Sequence, residues 1–204
     1  MKIALLRKNK TLMITTTAML IAFGILIPQI FHAIPNGGSI FLPMHIPVLL
    51  CGMICGGLMG LISGIITPII SSLMFGMPPF PTACVPMIFE LATYGLLAGI
   101  FTEVFGQIQA TKKFSYTIAL IAAMLCGRIV SIIVKIILLS LIMHKGTFQA
   151  VFTAALTASF VTAWIGILIQ IFLIPSIMFA LEKAGVMRNY SISYKTIQTS
   201  DIEE

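Results

Sequence analysis

The chain has 204 residues, of which 59% are apolar and only 9% charged, and its twelve Lys and Arg against six Asp and Glu leave a net charge of +6. Soluble domains carry about 25% charged residues, so a water-soluble globule is excluded. In so apolar a chain the cationic excess reads as an orientation signal rather than as a nucleic-acid footprint, and no nucleic-acid partner is expected.

Apolar runs punctuated by Pro, Gly and charge predict six transmembrane helices over about 11–34, 39–55, 58–76, 84–108, 116–143 and 150–181. A basic tail covers 1–10 and a second tail 184–204, so residues 1–204 read as one all-α integral membrane domain. The first run is too long for a signal peptide's apolar region and is read as a retained span. The stretch 39–76 would make a single helix about 57 Å long, nearly twice a hydrocarbon core of about 30 Å. Two spans with a turn at Cys55, Gly56 and Gly57 fit better. With six spans, Lys2, Arg7, Lys8, Lys10, Lys112, Lys113, Lys183, Arg188 and Lys195 all fall on one side, and only Lys145 lies in a loop on the other. The positive-inside rule then places both termini in the cytoplasm.

Two external segments lack any Lys, Arg, Asp or Glu: Pro35-Asn36-Gly37-Gly38-Ser39 up to Pro47, and Met77-Pro78-Pro79-Phe80-Pro81-Thr82. Chain so rich in Pro and Gly cannot continue a helix; it forms either tight turns or ordered lids over a cavity. Asn36 and Phe80 are candidate substrate contacts on these segments. His45, between Pro43 and Pro47, is expected at the cavity mouth, where it either binds ligand or stabilises the loop.

Inside the spans, Glu90, Arg128 and Lys135 require explanation, because a charge in lipid costs at least about 2.5 kcal/mol and normally faces a cavity or a partner. Arg128, Ser131 and Lys135 share one face of the fifth helix, and Glu90 and Tyr94, four apart, share one face of the fourth. Glu90 should lie about 9 Å and Lys135 about 12 Å from the outer ends of their helices, so the two can meet. That pairing has a purely structural reading and a functional one, and Glu103 is an alternative partner for Arg128. Two cations and one carboxylate leave +1, which favours a ligand with one negative charge, its carboxylate held by Arg128 through two parallel bonds. Glu90, Tyr94, Arg128 and Lys135 therefore join Asn36, His45 and Phe80 as candidate substrate-binding residues.

Gly52, Gly56, Gly60 and Gly64 recur every four residues, followed by Gly95 and Gly99. In lipid such faces let helices approach closely, and internal packing is the preferred reading. Ala18 and Ala22 form a similar face on the first helix that can serve another subunit. Cys51, Cys55, Cys84 and Cys126 sit in or beside apolar runs and read as buried hydrophobes. There is no GxSxG, HExxH or P-loop pattern, so neither catalysis, a metal, a cofactor nor ATP binding is expected. Any nucleotide energy must come from another chain.

Phe41-Leu42-Pro43-Met44-His45-Ile46-Pro47-Val48-Leu49-Leu50, the Gly-spaced hairpin, Phe75-Gly76-Met77-Pro78-Pro79 and Phe89-Glu90-Leu91-Ala92-Thr93-Tyr94-Gly95 together resemble the substrate-binding (S) component of an energy-coupling factor (ECF) transporter. The resemblance covers residues 11–183, and Ala18-xxx-Ala22 is similar to that family's AxxxA contact with the coupling subunit. It implies a six-helix protein of the bacterial plasma membrane that captures a vitamin from outside. Docked on a transmembrane coupling subunit with two ATPases, such a protein topples and releases the vitamin inside. The Leu-Pro-Met-His-Ile-Pro segment looks nearest to pantothenate components, with riboflavin or another vitamin as alternatives. A self-sufficient, ion-coupled secondary carrier for a small organic acid is the competing class.

Overall fold

A computed structural model describes residues 10–31, 37–107, 115–142 and 164–183. Among the described residues there are seven helices and no strand: α1 (Lys10–Phe31), α2 (Gly37–Phe41), α3 (His45–Cys55), α4 (Gly57–Phe75), α5 (Cys84–Gln107), α6 (Ser115–Ile142) and α7 (Trp164–Lys183). Five of them, α1, α4, α5, α6 and α7, are long and apolar enough to cross a membrane. The chain is an all-α, multi-pass membrane protein. The basic clusters 1–9, 112–113 and 188–195, on which the orientation argument leans, lie outside the described residues, as do Asn36 and the stretch 150–163 expected to begin the last span.

The segment expected as one helix over 39–55 is broken. Leu42 takes a positive φ of 49°, and Pro43 follows it, so α2 ends at Phe41 and the chain turns inward before α3 begins. The Leu42 carbonyl accepts the His45 backbone N–H at 3.1 Å across this elbow. Pro47 falls in the first turn of α3, where no intrahelical N–H is needed. With 11 residues α3 is about 16 Å long, about half the thickness of a hydrocarbon core. Val48, Leu49, Cys51 and Met53 are fully buried in it, because α3 is enclosed by α1, α4, α5 and α7.

The break between α3 and α4 falls at Gly56, whose φ of 103° no side-chain-bearing residue adopts readily. Gly56 N–H donates to the Gly52 carbonyl at 3.0 Å, and Gly60 N–H to that of Gly56 at 2.9 Å, so few backbone groups are left unpaired at the corner. The glycine series is an internal packing device. A Cβ on Gly52 or Gly60 would run into the Gly95 backbone, one on Gly64 into Leu91, and one on Gly99 into Gly57. Residues α3, α4 and α5 thus pack backbone to backbone, which in lipid replaces the hydrophobic drive that water supplies elsewhere.

Helix α5 is the axis of the bundle, packed on α3 and α4 along one side and on α6 along the other. Helix α7 packs on α2, α3 and α6. Near its start Gly166 approaches the backbone of Ile40 and Phe41. Near its end the Phe179 ring meets Tyr116 edge-on at 5.7 Å, and the Tyr116 hydroxyl donates to Glu182 at 3.4 Å.

Candidate functional site

The site is a buried polar layer that joins three helices, α3, α5 and α6. Glu90, on the second turn of α5, is its hub. Its Oε1 accepts the Tyr94 hydroxyl at 3.0 Å and lies 3.1 Å from Arg128 Nη1, while Oε2 accepts the Ser131 hydroxyl at 2.6 Å. The ring of His45 completes the group, with Nε2 3.6 Å from Oε1 and its plane tilted against the Tyr94 ring at 5.5 Å between centroids. All five are buried; Arg128 is 4% exposed and His45 2%.

Local sequence explains the arrangement. Tyr94 is one turn below Glu90 on α5, so its hydroxyl reaches back to the carboxylate. Its ring needs room, and Gly127 of α6 supplies it: a Cβ there would strike the Tyr94 ring. That contact sets the register of α6 against α5 and brings Arg128 and Ser131, the next positions on that face, onto Glu90.

Glu90 is engaged by its neighbours, but Arg128 is only partly used. Its Nε and Nη2 have no hydrogen-bond partner among the described residues, nor has His45 Nδ1. On a planar guanidinium the Nε–H and one Nη2–H run parallel along one edge, the geometry that grips a carboxylate by two bonds. Glu90, on Nη1, fixes the group and leaves that edge open. Arg128 borders a hollow of about 70 Å³ between α6 and α7, otherwise lined by Ile121, Met124, Leu125, Ile167 and Ile171.

The structure brings together His45, Glu90, Tyr94 and Arg128. Lys135, half-buried, is one turn beyond Ser131 on the same face of α6 and within electrostatic reach of Glu90 and Arg128. Glu103 lies 13 residues along α5 from Glu90, about 20 Å away, so it cannot hold an arginine that Glu90 already holds. His45 differs from its expected place at an exposed mouth: the Leu42 elbow folds it into the interior. Phe80 is 72% exposed at the Pro-rich turn, away from the polar layer. Ser71 Oγ ties that turn to α4 by donating to the Met77 carbonyl at 2.8 Å. Ala18 and Ala22 both lie on the exposed face of α1.

Two buried polar residues escaped the list of candidates. Ser131 stood out in the sequence only as part of a stripe. Gln170, fully buried on α7, had a legible signal in being the one amide of that helix, set in the apolar run Trp164–Pro175. A larger hollow, about 400 Å³, lies elsewhere, between α1 and α7 over α3, and is bordered by residues such as Phe23, Ile27, Pro47 and Leu173.

Among known proteins, no curated sequence and no solved structure matches the chain. A family model, that of the ECF transporter substrate-specific component, matches residues 12–178. The match begins in α1 and ends in the last turns of α7, and so takes in the Gly-packed core, the Leu42 elbow and every member of the polar layer. By that match the chain belongs to the ECF transporter substrate-specific components, a family of transporter subunits that work with coupling and ATPase subunits on a small-molecule substrate.

Proposed function

We propose that this chain captures pantothenate on the outer side of a bacterial plasma membrane and hands it to a transmembrane coupling subunit driven by two ATPases, and that it is itself no enzyme. The observation that carries the reading is the open Nε–Nη2 edge of Arg128, buried and steadied by Glu90. A carboxylate on that edge is matched by the +1 balance of Arg128, Lys135 and Glu90. The likeness of Leu42-Pro43-Met44-His45-Ile46-Pro47 to pantothenate components agrees with a monocarboxylate and disfavours uncharged riboflavin.

Small-molecule pockets hold roughly 300–1,000 Å³, well above the hollow of about 70 Å³ beside Arg128. Binding therefore requires the α6–α7 seam to part. Both termini are cytoplasmic in this reading, which puts Phe80 and Asn36 on the outer side of the membrane.

Ala18 and Ala22 offer the coupling subunit a flat, exposed face that lies off the polar layer. Ala18→Trp is accordingly expected to abolish pantothenate uptake in cells expressing the whole transporter, while the purified variant binds pantothenate like the parent chain in isothermal titration. Uptake at the normal rate would remove α1 as the docking face. Uptake by the purified chain alone in liposomes, driven by a proton or sodium gradient, would replace this reading with a secondary carrier.

A further inference from the structure

Gln170 is buried at 0% exposure on α7, and its two amide ends have different fates. Nε2 donates to the Leu42 carbonyl at 3.5 Å, whereas Oε1 has no partner among the described residues. The orientation is fixed by chemistry: the neighbour is a carbonyl, which only accepts, so the NH₂ must face it and the oxygen must face away. An unpaired amide oxygen in a dry interior is costly, and no water lies within the hydrocarbon core to relieve it. A Leu or Met at this position would carry no such cost.

Its position links it to the layer already described. Leu42, which holds the amide, also accepts the His45 backbone N–H, and His45 faces Tyr94 and Glu90. Ile167 and Ile171, on either side of Gln170 in α7, border the hollow at Arg128. Arg128 on α6 thus keeps two unpaired donors, and Gln170 on α7, the helix across that hollow, keeps one unpaired acceptor.

We propose that Gln170 is a specificity-determining residue: its carbonyl accepts a hydrogen bond from a neutral O–H or N–H of the bound acid while the Arg128 edge holds the carboxylate. The inference rests on the carboxylate reading of Arg128 and adds a second requirement. It also explains what an acid-binding site in a membrane needs most, which is rejection of fatty acids. An acyl carboxylate satisfies Arg128 but leaves the Gln170 oxygen buried and unpaired, and sites built to hydrogen-bond a substrate group strongly reject analogues lacking it.

The test uses the full chain in detergent and two probes in isothermal titration. One is pantothenate; the other is its counterpart with both hydroxyls replaced by hydrogen and the amide N-methylated, which keeps the carboxylate and loses every neutral donor. The parent chain is expected to prefer pantothenate by about tenfold or more, and Gln170→Met to bind the two within about twofold of each other. A structural role for Gln170 would weaken both probes together and leave the ratio unchanged, which overturns the proposal. A ratio near one in the parent chain overturns it without any variant, should Gln170→Met fail to fold. If the parent chain binds neither probe, the pantothenate reading fails separately, and Gln170 is judged on the small molecule that copurifies, identified by mass. A molecule with no O–H or N–H donor, or its full retention by Gln170→Met, overturns the proposal; an acid bearing such a donor and lost from Gln170→Met upholds it.

Discussion

Glu90→Leu is expected to destabilise the chain by about 3–5 kcal/mol, the usual cost of leaving one member of a buried ion pair alone. The loss is that large because Glu90 serves several groups at once. Arg128 Nη1, the Tyr94 hydroxyl and the Ser131 hydroxyl all converge on its carboxylate, and leucine strands each of them in a dry interior. Thermal unfolding in detergent reads the effect as a lowered midpoint, with pantothenate binding lost as well. The double variant Glu90→Leu/Arg128→Met is expected to recover most of the stability, since removing both charges relieves the unpaired one, yet to stay unable to bind. Recovery of binding in the double variant would show that neither residue serves the ligand. Equal stability of Glu90→Leu and the parent chain would show that the polar layer is not the hub described.

Gly95→Val is expected to prevent folding outright. Any Cβ on Gly95 meets the backbone of Gly60, and Gly52 and Gly60 pack against Gly95 in turn, so no flexible side chain can move aside. Ordinary overpacking costs about 1–3 kcal/mol when side chains can yield; here α4 and α5 must separate. Size-exclusion chromatography in detergent should show aggregate in place of a single species. Gly38→Val, at a position where an added Cβ meets nothing within 4 Å, should behave like the parent chain. A monodisperse Gly95→Val protein of parental stability would refute close backbone packing as the source of cohesion.

Much of this was legible in the residues. The strict spacing of Gly52, Gly56, Gly60 and Gly64 announced close helix contact because a period of four keeps positions on one face. The cost of charge in lipid singled out Glu90, Arg128 and Lys135 before any geometry was known. The pairing among them was not legible, because helix ends read from hydropathy leave the relative depth of two helices open by a turn or more. The register is set by Tyr94 fitting against Gly127, a side chain against an absent one, and no periodicity reports such a match. That fit brings Arg128 to hydrogen-bond distance of Glu90 and leaves Lys135 a turn beyond Ser131. The inward turn of His45 was hidden for a similar reason: Pro43 and Pro47 signal a break in the helix but not its direction, which the positive φ of Leu42 decides. Gln170 was visible as a lone amide among apolar residues, and only the elbow carbonyl facing it gave it a role.

The central claim is that a ligand's carboxylate rests on the open edge of Arg128, and isothermal titration of pantothenate into purified Arg128→Ala and Arg128→Lys tests it most directly. Loss of a charged, buried hydrogen-bond pair costs about 1–3 kcal/mol, or roughly 5- to 150-fold in affinity. The account predicts a loss of that size in both variants, because lysine keeps the charge and its contact with Glu90 but has no two-donor edge. Parental affinity in either variant, with the fold intact, would contradict it.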